Sequence, residues 1–230
     1  LEKDGEYEAK LSVFKQEPVK KFTFDSTTLV EEASKGLEEQ CKKGLIAKSI
    51  SKKTIKRSPR EPFRTSVLQQ QASNRFGFTP KRTMQIAQSL YAREGGGLIT
   101  YIRTDSIEID EGKVPAVRSQ VTSMFGKDFV QPRNFKNKKE AKNIQEAHGA
   151  ITPVDISLVP ADVKKILKDD EFKLYRLIWQ RTIASQMKDA IFERTSIEFV
   201  PTGDESLATF SFSDQELIFS GYLEATQEEV

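Results

Sequence analysis

Alternating apolar and polar positions predict β-strands near both ends of the chain. In EYEAKLSVF, the side chains of Tyr7, Ala9, Leu11 and Val13 share one face, and mostly polar residues lie between them. The stretch GLIAKSISKKTIKRSP alternates again, carries lysines on one face and stops at Pro59. RTSIEFV and LATFSFS show the same pattern towards the C-terminus. The two ends are therefore predicted to be β-rich.

Capping residues predict a pair of helices joined by a short turn between these strands. TSVLQQQASNRFGF can be capped at Thr65 or Ser66 and stopped at Gly77. In TPKRTMQIAQSLYAR, Thr79 suits the N-cap and Pro80 suits the first helical position, where a missing N–H loses no hydrogen bond. This segment therefore predicts a helix, a short turn and a second helix.

Helical periodicity predicts further helices. One begins at Ser26 or Thr27, and two lie around 111–125 and 139–147. A longer helix covers EFKLYRLIWQRTIASQMKDAIF, with Trp179 near its apolar face. Because strands occupy both ends and helices the middle, the pattern predicts an α+β fold with a helical domain inserted into a β domain. The apolar face of the longer helix consists of Leu174, Leu177, Ile178, Ile183 and Met187.

The formal net charge of +2 hides a segregation of charge along the chain. Residues 42–93 contain thirteen Lys and Arg and one acidic residue, whereas residues 201–230 contain seven acidic residues and no Lys or Arg. Lys81 and Arg82 lie in the first turn of a predicted helix, where backbone N–H groups also attract phosphate. The cationic block fits a polyanion such as nucleic acid, and a solvated charged face is the alternative.

The residue inventory argues against several kinds of site and location. The single cysteine, Cys41, cannot form an intrachain disulfide, in agreement with a reducing cytoplasm. One histidine and no CxxC pair argue against a zinc site, and EGGGL lacks the Lys-Ser/Thr of a phosphate-binding loop. No apolar run approaches the ~18 residues of a membrane span, so no membrane partner is expected.

The stretch GGGLITYIRTDS, residues 95–106, combines side chains that suit phosphoryl transfer. If it alternates as a strand, Tyr101, Arg103 and Asp105 point to one face, together with Ile99. A phenol oxygen can attack phosphorus, a guanidinium can hold phosphate oxygens, and a carboxylate can orient the guanidinium. A half-exposed strand with an ordinary Arg–Asp pair is the alternative.

His148, in QEAHGAITP, is the only histidine of the chain. Near Tyr101 it could donate a proton to a phosphate or to a leaving oxygen. A structural or surface role is the alternative, because the sequence shows no partner for it.

Four segments, taken in order, resemble the bacterial type IA DNA topoisomerases. GLITYIRTDS resembles the active-site tyrosine motif of that family, and PFRTSVLQQQASNRFGFTPKRTMQIAQSLY resembles the helical segment before it. QEAHGAITP is similar to the later histidine motif, usually E-A-H-x-A-I-R-P, and LYRLIWQRTIASQM is similar to the helix that follows. Together they cover roughly residues 60–195, and their order makes the resemblance specific.

The resemblance implies an enzyme that cuts one DNA strand by tyrosine attack, leaves a 5′-phosphotyrosyl link, passes another strand and reseals the break. It implies that Tyr101 is the nucleophile and that Arg103 stabilises the phosphate. His148 would act near the scissile phosphate, and Asp105 would have an orienting role. Relaxation of negatively supercoiled DNA without ATP is the implied activity. Contacts to a single-stranded DNA segment are predicted for Lys81, Arg82, Thr104 and Ser106.

The resemblance also implies a domain organisation. A β-rich arch or hinge domain would comprise residues 1–62 and 188–230, and a mainly helical domain, residues 63–187, would carry the tyrosine. The family needs Mg2+, bound by a domain with clustered acids that is not recognisable in this chain. We therefore expect part of a longer cytoplasmic, nucleoid-associated enzyme, which depends on its remaining domains and does not relax DNA alone. Weak, salt-sensitive DNA binding is expected through residues 42–93.

Two positions depart from the family pattern, and two other functions compete with it. Thr152 stands where arginine is usual, which weakens the case for a strong phosphate grip by this segment, and Gly149 stands where glutamate is common.

A tyrosine recombinase is disfavoured because Tyr101 precedes His148. A non-catalytic nucleic-acid-binding domain is the open alternative, and it predicts no loss on Tyr101→Phe.

Overall fold

The computed structural model describes residues 8–137 and 148–226. Helices and a β-sheet are both present, so the predicted α+β class is confirmed. The predicted helix around 139–147 lies outside the described residues, and so does Tyr7 of the predicted N-terminal strand.

The chain divides into two compact units. The first comprises the described part of residues 1–56 together with Ile191–Ile218, and the second comprises Arg57–Ala190 with the rest of the described chain. The sequence analysis grouped residues 219–230 with the β-rich ends, whereas their described part belongs to the second unit. Ala225 accounts for this grouping, because it is 5% exposed and belongs to the same hydrophobic core cluster as Trp179.

The first unit is built on a five-stranded sheet. The strands are β1 (Lys10–Phe14), β2 (Glu17–Pro18), β3 (Leu45–Arg57), β4 (Ala190–Pro201) and β5 (Ala208–Phe219). Their order is β2-β1-β5-β4-β3, and β1 pairs antiparallel with both of its neighbours. The strands predicted by alternation are therefore present, and β3 is an exposed edge strand.

A single long helix accompanies this sheet in the first unit. It is α1 (Thr27–Cys41), and it begins as predicted because the Ser26 hydroxyl accepts a hydrogen bond from the Leu29 N–H at 3.4 Å. At the sheet edge, Lys52 of β3 pairs with Glu193 of β4 at 2.7 Å. This ion pair is exposed and contributes little stability.

The second unit is mainly helical. Its helices are α2 (Thr65–Phe76), α3 (Pro80–Tyr91), α4 (Val114–Phe125), α5 (Pro160–Val163), α6 (Asp169–Ala184) and α7 (Leu223–Thr226). The predicted start of α3 is confirmed, because the Thr79 hydroxyl accepts from the Arg82 N–H at 3.2 Å. The predicted cap of α2 is wrong: Arg64 occupies the N-cap without a side-chain hydrogen bond, and the Thr65 hydroxyl bonds elsewhere. Gly77 ends α2 in the left-handed region at φ 68°, as predicted.

Helix α6 lies at the centre of the core of the second unit. Trp179 is 3% exposed, and its indole N–H donates to the Ile156 carbonyl at 2.9 Å. The helix ends at Ala184, earlier than predicted, because the chain turns there and the Lys188 N–H donates to the Phe129 carbonyl at 2.8 Å. Four residues of the predicted apolar face are buried on α6, namely Leu174, Leu177, Ile178 and Ile183, whereas Met187 is buried beyond the end of the helix.

Candidate active site

The rings of Tyr101 and His148 lie together in the second unit. Their centroids are 4.6 Å apart, and the ring planes are inclined by 43°. Tyr101 is half-buried and His148 is exposed, so a ligand can approach both rings from solvent. The structure thus brings together two residues that the sequence analysis selected as catalytic candidates.

The predicted strand over the tyrosine motif is wrong. The described residues of this stretch form an isolated bridge between Ile99 and Pro153 and no strand, and the chain bends after Tyr101. Leu98 and Ile99 are adjacent and both buried, and Ile102 is 2% exposed, so burial does not alternate. Ile99 is therefore part of the core and does not share an open face with Tyr101.

Thr65 explains why the backbone departs from a strand. Its hydroxyl donates to the carbonyls of Ile102 and Thr104, at 2.8 and 3.0 Å, and accepts from the Thr104 N–H at 2.9 Å. The Thr65 N–H also donates to the Thr104 carbonyl at 3.0 Å. Residues 102–104 consequently curl around the first residue of α2. This hydrogen-bonded turn fixes the backbone between Tyr101 and Arg103.

Two threonines connect the tyrosine segment to the histidine segment. The Thr100 hydroxyl donates to the Ala150 carbonyl at 2.9 Å and accepts from the Thr152 N–H at 2.9 Å. The Thr100 N–H donates to the Thr152 carbonyl at 2.8 Å. The Thr104 hydroxyl donates to the His148 carbonyl at 3.2 Å. These bonds, from the residues before and after Tyr101 in the sequence, join the tyrosine segment to the segment that begins with His148.

Tyr101 and Arg103 have functional groups without partners inside the described part of the chain. The Tyr101 hydroxyl makes no hydrogen bond there, and the exposed Arg103 guanidinium forms no ion pair there. Asp105 is also exposed, and the Arg–Asp pair considered for a strand is absent between these described residues. Both the phenol and the guanidinium are thus accessible to an incoming anion.

Tyr175 shows how a packed tyrosine of the same unit differs from Tyr101. Its side chain is fully buried, and its hydroxyl donates to the Leu158 carbonyl at 2.7 Å. Burial, together with the negative charges of Asp155 and Asp162, raises the pKa of Tyr175 well above its usual value. Tyr175 therefore has the one partner that a core tyrosine needs.

The residues predicted to contact DNA are engaged to different degrees within the protein. Arg82 forms an exposed ion pair with Asp170 at 2.7 Å, whereas Lys81 is exposed and has no partner in the described part of the chain. The Ser106 hydroxyl accepts from the Asn137 side-chain amide at 3.1 Å. The Thr104 hydroxyl is bonded to His148, as described above. A DNA contact by Arg82 would have to compete with its carboxylate partner.

Sequence reasoning did not identify Thr65, Thr100 or Tyr91 as parts of this site. Tyr91 packs against Tyr101 in a T-shaped arrangement, with ring centroids 5.8 Å apart. The threonines have no recognisable local signal, since their partners lie far away along the chain.

Thr152 is 3% exposed and lines a cavity of about 140 Å³ with residues that include Val117.

The described residues contain neither a metal-binding cluster nor a membrane-spanning helix. Across residues 8–137 and 148–226, no three His, Cys, Asp or Glu side chains are grouped closely enough to bind a metal ion. No helix in those two stretches is long and apolar enough to cross a bilayer. Cys41 is a free thiol, and partial burial raises its pKa.

Comparison with protein families identifies the family to which the chain belongs. Residues 4–230 match the model of a family described as DNA topoisomerase. The chain belongs to the bacterial DNA topoisomerase I family. It is 37% identical to DNA topoisomerase 1 of Rickettsia bellii over 231 residues, which cover 97% of this chain and 28% of that protein. It is 44% identical to DNA topoisomerase 1 of Streptomyces coelicolor over 182 residues, 77% of this chain and 18% of that protein.

A solved structure gives the same relationship. Full-length topoisomerase I from Thermotoga maritima superimposes with a TM-score of 0.73 at 30% identity, and the match covers 96% of this chain and 34% of that one. The resemblance found in the sequence is confirmed at the level of the family. The chain spans 28% of the length of the Rickettsia bellii relative.

Proposed function

We propose that this chain carries the nucleophilic tyrosine of a type IA DNA topoisomerase, and that Tyr101 forms a 5′-phosphotyrosyl link with one DNA strand. The observation that carries the proposal is the contact between Tyr101 and His148, with the accessible Arg103 two residues away. Membership of the topoisomerase family supports DNA as the substrate.

The proposed reaction is a transesterification. The Tyr101 oxygen attacks phosphorus and loses its proton to solvent, while the bond between phosphorus and the 3′ oxygen breaks. The 3′ oxygen leaves with a proton, for which His148 is the candidate donor, and Arg103 holds the non-bridging oxygens. Asp105, exposed two residues after Arg103 in the sequence, is assigned an orienting role. Religation is the reverse of these steps.

The chemistry accounts for relaxation without ATP. One phosphodiester is exchanged for another, so the bond energy is conserved while a second strand passes through the break. In the proposal, Mg2+ is bound by a domain outside this chain, as the resemblance to the type IA family implies. None of the steps assigned to Tyr101, Arg103 and His148 involves the ion. The enzyme would act in the cytoplasm, where bacterial DNA lies.

The experiment combines this chain with a separately produced Mg2+-binding domain of a relative. Single-stranded DNA labelled at its 3′ end is added with Mg2+, and the protein is examined on denaturing gels. Attachment of the label to this chain should disappear in Tyr101→Phe. Tyr222→Phe is the matched control, because Tyr222 is half-buried elsewhere in the same unit.

Each outcome separates the proposal from its alternatives. Equal attachment in the wild type and in Tyr101→Phe would contradict Tyr101 as the nucleophile. Attachment of 5′-labelled DNA alone would contradict the proposed polarity. Absence of any attachment, in a mixture where an intact relative cuts the same DNA, would favour a non-catalytic nucleic-acid-binding domain.

A further inference from the structure

Tyr91 extends the pair of rings at the candidate active site into a row of three. Tyr91 lies 5.8 Å from Tyr101 with the ring planes at 70°, and Tyr101 lies 4.6 Å from His148. Tyr91 is 39% exposed, and Tyr101 is half-buried. An aromatic surface that solvent can reach is therefore continuous with the proposed nucleophile.

The position of Tyr91 is tightly fixed by the backbone. It is the last residue of α3, and the Leu98 N–H donates to the carbonyl of the preceding residue, Leu90, at 2.8 Å. A Cβ atom at Gly97 would collide with the Tyr91 carbonyl oxygen, so the loop approaches the helix end more closely than any other residue type permits. Tyr91 is thus held beside Tyr101 before any ligand binds.

Packing of the hydrophobic core does not explain why an exposed aromatic side chain occupies position 91. Ile86, Ala87 and Leu90 fill the buried face of α3, with exposures of 4%, 0% and 0%. Tyr91 follows Leu90 directly and leaves more than a third of its surface accessible to solvent. Its hydroxyl has no hydrogen-bond partner in the described part of the chain. Its contact with Tyr101 leaves ring surface open for another planar group.

We infer that Tyr91 is a stacking platform for an unpaired nucleobase next to the phosphate that Tyr101 attacks. Proteins bind single-stranded nucleic acid by pairing cationic groups with phosphates and aromatic rings with bases. Arg103 supplies an accessible cation close to Tyr101, and Tyr91 supplies the ring one position further along the row. Tyr91 is a binding residue and takes no part in bond breaking. The inference rests on the proposed function and names the form of DNA that the site accepts.

The test separates contacts with bases from contacts with phosphates. All variants are made on a Tyr101→Phe background, which keeps the ring and prevents covalent attachment. Each variant of this chain is titrated at low salt with two oligonucleotides of equal length and charge, one of thymidines and one of abasic residues. Because every residue of the thymidine strand carries the same base, a base can stack on Tyr91 wherever along its length the strand binds. The binding position therefore need not be known.

We expect Tyr91→Ala and Tyr91→Leu to weaken binding of the thymidine strand by about tenfold, within the usual range for a stacked base. Binding of the abasic strand should stay unchanged. Tyr91→Phe should keep the affinity of the background protein for both strands, because the ring rather than the hydroxyl stacks. Met124→Ala is the control for loss of an exposed apolar side chain, since Met124 is 47% exposed on α4.

Three results would overturn the inference. Equal weakening for both strands would show that Tyr91 acts only on the fold or on phosphate binding. No weakening for either strand would show that no base stacks there, and the proposed function would stand if Tyr101 still attached DNA in the mixed assay. No binding of either strand by the background protein would overturn the platform and count against DNA handling by this chain.

Discussion

The ring of His148 lies 4.6 Å from the ring of Tyr101, although His148 belongs to a different segment of the chain. The Thr104 hydroxyl donates a hydrogen bond to the His148 carbonyl at 3.2 Å. Thr104 follows Tyr101 in the sequence, whereas Thr100 precedes it. The segments that carry the two rings are therefore joined by hydrogen bonds in which neither ring takes part. Substitutions of either ring should alter chemistry more than fold.

Removal of His148 or Arg103 should slow covalent attachment while the protein stays folded. We expect His148→Ala to lower the attachment rate by about 10²-fold, as for loss of a proton donor. Arg103→Ala should cost about 10²–10³-fold, and Arg103→Lys should recover only part, because an ammonium cannot hold two phosphate oxygens in the same plane. Single-turnover attachment in the mixed assay measures these rates. Losses confined to DNA affinity, with the rate at saturation unchanged, would contradict the assigned roles.

Loss of the Thr65 hydroxyl should destabilise the turn that follows Tyr101. In Thr65→Val the Ile102 carbonyl loses the Thr65 hydroxyl as donor and the Thr104 N–H loses it as acceptor, and the expected loss is about 1–3 kcal/mol in the free energy of unfolding. Thr65→Ser keeps the hydroxyl and should lose much less. Urea unfolding followed by the fluorescence of the buried Trp179 measures both variants. A loss in Thr65→Ser with none in Thr65→Val would mean that the methyl group, and not the hydroxyl, holds the turn.

Two glycine-to-alanine substitutions should change stability in opposite directions. Gly97→Ala places a Cβ against the Tyr91 carbonyl oxygen and should destabilise the second unit by about 1–3 kcal/mol. Gly36→Ala meets no atom within 4 Å in the exposed middle of α1, and it should stabilise the first unit by up to about 1 kcal/mol. Urea unfolding followed by Trp179 fluorescence and by circular dichroism measures the two changes. A neutral Gly97→Ala would show that the close approach of loop and helix is not required.

Glu171 should make the second unit sensitive to acid. Burial raises the pKa of Glu171, but hydrogen bonds from the Ser89 hydroxyl and the Lys168 N–H, together with the positive charges of Arg93 and Lys168, outweigh burial and leave the pKa below its ordinary value. A lowered pKa in the folded state stabilises the protein above the unfolded pKa of about 4.3, and this stabilisation is lost as the pH falls through the folded pKa.

The matching experiment compares urea unfolding of the wild type and of Glu171→Gln between neutral pH and acid. The glutamine variant should be less stable at neutral pH, and the difference should shrink as the pH falls. Glu94→Gln, at an exposed position, is the control. A difference that stays constant with pH would show that the carboxylate charge of Glu171 contributes nothing.

Sequence reasoning succeeded where the signal was local. Thr79 and Pro80 lie next to the helix that they start, and the apolar spacing of α6 correctly marks Leu174, Leu177, Ile178 and Ile183 as buried. Both features follow from neighbouring residues, so no knowledge of distant contacts was required.

The conformation of the tyrosine motif depended on contacts between distant segments. Thr65 and Thr100 bond to carbonyls in other parts of the chain, and these bonds prevail over the alternating pattern that favoured a strand. The contact between Tyr91 and Tyr101 likewise depends on a loop of glycines, whose path the sequence does not specify. The residues of the site could be selected from the sequence, whereas their mutual geometry could not.

The most direct test of the central claim is to map the tyrosine that becomes attached to DNA. Trypsin cleavage after Arg93 and Arg103 releases a peptide, residues 94–103, in which Tyr101 is the only tyrosine. Tyr91 falls in the preceding peptide, residues 83–93, so mass spectrometry distinguishes the two rings. The account predicts a nucleotide adduct on Tyr101, retained from 3′-labelled DNA. An adduct on any other peptide, with the 94–103 peptide unmodified, would contradict it.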